Sequence, residues 1–157
     1  MEEVELLATI SQIHYLYDRI LTGLLASHQR PRINAAQARL LMNLWEQDGI
    51  NIQELAERTC LKKTTLSTML PRLVAEGMIT VSHDSADQRA RVIRLTKEAR
   101  DLKTSHQKLF EVLDEITFSG IEDKDKQTLV RALLKVRENL VEREQEKRGS
   151  KLDGRTP

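Results

Sequence analysis

With one cysteine, Cys60, among its 157 residues, the chain cannot form an internal disulfide. Aromatic side chains are scarce: one Trp, two Tyr and two Phe make 3 %, too few for a platform on which single-stranded bases would stack. No apolar run approaches the roughly 18 residues of a membrane span. The first ten residues, MEEVELLATI, are acidic where a signal peptide would be basic. A cytoplasmic protein with no membrane partner is therefore expected. Nor is there an excess charge of one sign: 25 Lys and Arg face 24 Asp and Glu, a formal net charge of +1. Any nucleic-acid site must then be a local patch. His28, His83 and His106 show no metal-ligand spacing with one another or with Cys60, so no metal is expected. A Gly-rich phosphate loop, an HExxH run and a Ser/Cys–His–Asp arrangement are all missing. These absences point away from an enzyme and from a cofactor.

What remains is rich in helix-forming pattern: 39 % apolar and 31 % charged residues suit a helical protein with much exposed surface. Over residues 2–27, Leu6, Ile10, Ile13, Tyr17, Ile20 and Leu24 recur at steps of four and three, and Leu7, His14 and Leu21 widen the stripe. HQRPR breaks that helix, because Pro31 disfavours helix in the residue before it. Asn34 and Gln37 form a capping box for a second helix, with Leu40, Leu41, Leu44 and Trp45 facing inward and Gly49 as its stop. Asn51 caps a third, with Glu54 at its third position and Leu55 and Ala56 inward. A fourth is expected over about residues 64–76, capped by Thr64 or Thr65. Its apolar side is Leu66, Met69, Leu70 and Leu73, and Gly77 ends it.

MITVSH (78–83) and RVIRLT (91–96) read as the two strands of a hairpin, with DSADQRA as the loop between them. Two long helices follow, about residues 97–118 (Leu102, Leu109, Leu113 and Ile116 on one face) and 123–147 (Leu129, Leu133, Val136 and Leu140). GSKLDGRTP reads as a disordered polar tail. The expected fold is mainly α: an α+β winged helix-turn-helix flanked by long terminal helices. In such a motif the second short helix enters the major groove, and the hairpin reaches a neighbouring groove or the backbone.

From Gln53 to Leu102 the chain carries, in order, ELAE, a Thr/Ser-rich recognition helix, RL…EG at its end, D…DxR in the wing, and LT opening the next helix. That succession resembles the MarR (multiple antibiotic resistance regulator) family. The resemblance implies a dimeric DNA-binding repressor that small ligands or oxidants loosen from its operator. It divides the chain into an N-terminal dimerisation helix (1–33), a winged helix-turn-helix DNA-binding domain (34–96), C-terminal dimerisation helices (97–148) and the tail (149–157). The terminal stripes are too broad for one small domain. Pairing would bury them and set two recognition helices about 34–36 Å apart on a pseudo-palindromic site. The chain departs from the family pattern at Lys62, where an acidic cap is common, at Val81, where an arginine is, and at Ala99, where a glycine is. Pro71 forfeits one helical hydrogen bond.

Candidate DNA contacts are Lys62, Lys63, Thr64, Thr65, Ser67, Thr68 and Arg72 in the recognition helix, and Asp87, Arg89 and Arg91 in the wing. Short hydroxyl side chains let a helix sit close to the groove, and a guanidinium at the wing tip suits a narrow minor groove. Asp87 would pin Arg89. From Leu61 to Leu95 six basic residues face three acidic ones, so the basic excess is local to the proposed reader. His14, Tyr15 and Tyr17 are candidates for a family-style pocket taking a phenolic or carboxylic ligand. The competing reading puts Tyr17 in the dimer core. Cys60 is expected as a small buried turn residue, a redox role being the alternative. The function expected is a homodimeric, sequence-specific DNA-binding transcriptional regulator, a repressor released by a small ligand or oxidant. The alternative is a winged-helix module that binds protein and not DNA.

Overall fold

A computed structural model describes residues 3–27, 33–83 and 91–153, with side chains described for 5–27, 33–83 and 91–146. The elements are α1 (Glu3–Ser27), α2 (Ala35–Glu46), β1 (Ile50–Asn51), α3 (Ile52–Thr59), α4 (Lys63–Ala75), β2 (Ile79–His83), β3 (Arg91–Leu95), α5 (Lys97–Asp101), α6 (Lys103–Phe118) and α7 (Asp123–Asp153). This is the mainly helical winged helix-turn-helix expected from the pattern.

Local chemistry sets most boundaries. The N–H of Gln37 donates to Asn34 Oδ1 and the N–H of Asn34 to Gln37 Oε1, both at 2.9 Å, so two orphan donors are satisfied reciprocally. Asn51 Oδ1 accepts from the Glu54 N–H at 2.9 Å. At the end of α4, Met78 N–H donates to Leu73 O at 2.9 Å and Gly77 N–H to Val74 O at 3.0 Å. Gly77 itself has φ +70°, the left-handed turn that this helix stop requires and that a Cβ disfavours. Thr96 Oγ1 accepts from the Ala99 N–H at 3.1 Å, capping α5, and donates to Gly77 O at 2.7 Å.

Several boundaries differ from the pattern reading, the end of α2 among them: it stops at Glu46 with Gln47 as its cap, before Gly49. The hairpin has a third strand: β1 pairs with β3 (Ile50↔Ile93, Asn51↔Val92), giving the antiparallel order β1-β3-β2. Two residues are too few to show a period of two. Residues 97–118 form two helices, interrupted at Leu102 without any Gly or Pro. Helix α7 runs to Asp153, so the polar tail expected from 149 is helical up to that residue; a single Gly costs a helix only about 1 kcal/mol. Finally, neither Thr64 nor Thr65 caps α4: the N-cap is Lys62, two residues before Thr64.

The chain forms two compact units, Met1–Thr117 and Phe118–Pro157. In the first, Leu21 and Leu25 of α1, Leu40, Leu41 and Leu44 of α2, Leu55, Leu66, Leu73, Met78, Ile79, Ile93 and Leu113 close one core. Each fully buried side chain of this size contributes about 1.5–3 kcal/mol. Trp45 Nε1 donates to Ala99 O at 2.8 Å, and its ring lies 5.1 Å from that of His106. An Asp18–Arg39 ion pair joins α1 to α2. Asp48 acts as a clip: Oδ1 accepts from the N–H groups of Gly49 and Leu95, both at 2.8 Å, and Oδ2 pairs with Arg100 Nη1 at 2.9 Å. It fixes the turn before β1 to the junction of β3 and α5. The second unit contains α7, where Leu129, Val130, Leu133, Leu134, Val136 and Leu140 are all exposed.

Candidate nucleic-acid interface

Helix α3 leads into α4 through a turn at Cys60. That residue closes α3 at φ +55°, the left-handed conformation of a helix cap. It is exposed, which corrects the expectation of a buried thiol: the cap position turns its side chain to the surface, away from the core that Leu55 and Leu66 occupy. Lys62 follows in extended geometry and provides no side-chain cap. The first helical hydrogen bond of α4 runs from Leu66 N–H to Lys62 O at 3.1 Å. The preceding N–H groups of Lys63, Thr64 and Thr65 therefore lack an intrahelical partner. No acidic residue stands in this first turn, and Lys62 and Lys63 are both exposed. Uncapped N–H groups, the positive end of the helix dipole and two ammonium groups share one surface point, an arrangement that attracts anions.

Beyond that turn, α4 separates its residues by face. Leu66, Leu70 and Leu73 are buried, and Met69 packs partly against the core. Thr64, Thr65, Ser67, Thr68, Pro71 and Arg72 are exposed. The core leucines thus hold the helix by one side and leave the other to solvent. Arg91 is exposed at the start of β3, opposite His83 in the ladder. Asp87 and Arg89 lie outside the described residues. Gln37 is 1 % exposed, so its amide serves the capping box and not an external anion.

The other candidates sit on α1. Tyr15 is 73 % exposed, its ring 5.9 Å from that of His14, which is also exposed and 4.0 Å from Asp18. Only Tyr17 packs against the core. Burial pushes its phenol above the usual value of 10.0, Arg39 opposes the shift, and Asp18 and Asp114 add to it. Two site features escaped the pattern reading. The Asp48–Arg100 pair spans 52 positions, a separation no local motif reveals. Pro71, expected to cost a hydrogen bond and to affect the pose of the recognition helix, lies on the exposed face of α4, which the sequence pattern did not assign to it. Among the described residues, no His/Cys/Asp/Glu group could hold a metal ion, and no helix is long and apolar enough to cross a membrane.

A short exposed helix carried by a helical scaffold, followed at once by a hairpin, defines the winged helix-turn-helix class. Comparison with known proteins narrows the class. The MarR family model matches residues 33–90. The HTH-type transcriptional regulator FarR of Neisseria gonorrhoeae is 30 % identical over 113 residues, covering 67 % of this chain and 75 % of FarR. The HTH-type transcriptional regulator TtmR of Methylorubrum extorquens (strain PA1) is 34 % identical over 89 residues, 57 % of this chain but only 44 % of TtmR. In structure, a mutant MarR from E. coli complexed with operator DNA superposes with a TM-score of 0.76 at 24 % identity, covering 85 % of this chain and 94 % of that one. The chain belongs to the MarR family. Its relatives are transcriptional regulators, not enzymes.

Proposed function

We propose that the protein is a homodimeric, sequence-specific DNA-binding transcriptional regulator, a cytoplasmic repressor released from a pseudo-palindromic operator by a small ligand or an oxidant. The observation that carries this reading is the open, uncapped start of α4 with Lys62 and Lys63 exposed beside it. Such an end neutralises phosphates and fixes the helix in the groove. Thr64, Thr65, Ser67, Thr68 and Arg72 then follow along its exposed face. Arg91, Asp87 and Arg89 supply the wing. The operator complex of the E. coli relative supports this use of the fold. The apolar residues exposed on α1 and α7 support pairing with a second copy. His14, Tyr15 and Tyr17 would serve a ligand, and the exposed Cys60 an oxidant.

The test is fluorescence anisotropy on labelled duplex from the region upstream of the protein's own gene, at several salt concentrations. A dimer is expected to bind with a steep salt slope. Lys62→Ala and Lys63→Ala should each weaken binding across sequences and lower the slope by about 1. Arg89→Ala should weaken binding with the fold unchanged. Binding that neither salt nor these variants affect overturns the reading and favours a winged helix that docks protein.

A further inference from the structure

We infer that the middle of the exposed face of α4, around Ser67 and Thr68, reads amino against keto bases: it accepts hydrogen bonds from adenine N6 or cytosine N4 and rejects guanine O6 and thymine O4 on the strand it faces. This rests on the DNA-binding reading above and specifies what a half-site must present.

Reading helices commonly use the forked or amide donors of Arg, Lys, Asn and Gln on base edges. Between Lys63 and Arg72, α4 has none of these. Its exposed residues there include Ser67, Thr68 and Pro71. Ser67 Oγ donates its proton to Lys63 O at 2.8 Å, and Thr68 Oγ1 donates to Thr65 O at 2.7 Å. A hydroxyl has one proton and two lone pairs, so both oxygens now face outward as acceptors only. Pro71 adds a third acceptor: it lies inside the helix and has no N–H, so the Ser67 carbonyl loses its helical donor. At 3.6 residues per turn these groups lie away from Leu66, Leu70 and Leu73. The middle of the reading face is thus acceptor-rich, and its charged donors stand at the two ends, Lys62–Lys63 and Arg72.

Every base pair shows the major groove one amino and one keto group; what varies is the strand that carries each. An amino group meeting these oxygens is bonded. A keto oxygen there meets lone pairs, unless a hydroxyl turns and breaks its bond to the helix, a loss of about two- to tenfold in affinity. The same physics makes the three acceptors removable one at a time. Thr68→Val keeps the methyl shape and deletes the oxygen. Ser67→Ala deletes the other hydroxyl. Pro71→Ala leaves every reading side chain in place and restores an N–H to the Ser67 carbonyl.

The experiment begins with in vitro selection of random duplex by the full chain. Expected are positions within each half-site where A or C exceeds G and T on one strand. Binding is then measured on the selected site with the key adenine replaced by purine, or the key cytosine by 2-pyrimidinone, each lacking only the amino group. Wild type should lose about two- to tenfold, and the loss should vanish in at least one of Ser67→Ala, Thr68→Val and Pro71→Ala. Circular dichroism melting checks that each variant folds; all three positions are exposed, and Pro71→Ala should melt no lower than wild type. Selected sites with G or T at those positions, or an amino deletion costing the same in wild type and in all three variants, overturn this inference and leave DNA binding intact. Failure to select any site overturns both.

Discussion

Helices α2 and α7 read alike in the sequence and are used differently in the structure. Both carry apolar residues at helical spacing. In α2, Ala38, Leu40, Leu41, Leu44 and Trp45 are buried within the unit that contains them. In α7, Leu129, Leu133, Val136 and Leu140 keep steps of four, three and four but are 40–66 % exposed. Periodicity therefore identifies the apolar face of a helix without saying what covers it. Helix α1 combines both cases: Leu21 and Leu25 belong to the core, while Leu6, Leu7 and Ile13 are exposed.

The largest effect should come from the covered side. Leu55→Ala removes a fully buried side chain of the first unit and should cost about 2–5 kcal/mol in urea denaturation. Leu133→Asp, on the uncovered stripe, should leave the helical circular dichroism intact. If α7 pairs with a second copy, the variant should raise the dimer dissociation constant at least about a hundredfold in sedimentation velocity. A Leu133→Asp protein whose mass is unchanged and whose stability falls as far as that of Leu55→Ala would erase the contrast. A smaller loss, about 0.5–1 kcal/mol, is expected for Asp48→Asn, since its ion pair with Arg100 is partly exposed and screened. The smallest effect lies in the mixed helix. Because burial raises the Tyr17 phenol above 10.0, the unfolded chain ionises first. The stabilisation it provides is complete below pH 10 and is lost as pH rises through the folded value. Tyr17→Phe should flatten that alkaline decline in pH-dependent melting.

Where a boundary has a side-chain cause, the sequence displays it. Asn34 with Gln37, Asn51 with Glu54, and Gly77 each announce their helix end, and each functions as read. The failures share a different physics. Strand β1 is invisible because Asn51 is both its second residue and the cap of α3. Lys62 escapes as an N-cap because it makes no capping bond, and two nearby threonines offer the better signal. Cys60 misleads because a left-handed helix cap is normally Gly or Asn. At the candidate site, side-chain chemistry singled out Lys62, Lys63 and the hydroxyl-rich run of α4, and the structure places them on its exposed side. The sequence could not show that Ser67 and Thr68 had already committed their protons.

The Asp48 clip also bears on the order in which the chain acquires its shape. Its two partners outside the turn, Leu95 and Arg100, lie 47 and 52 residues downstream. At a synthesis rate of about 5–20 residues per second, Arg100 follows Asp48 from the ribosome by roughly 3–10 s. Helices α2, α3 and α4 are joined by short loops, whereas β3 must return across the whole motif to meet β1. On a nascent chain the clip therefore cannot close until the β3–α5 junction has been made, by which time α2, α3 and α4 have all left the ribosome.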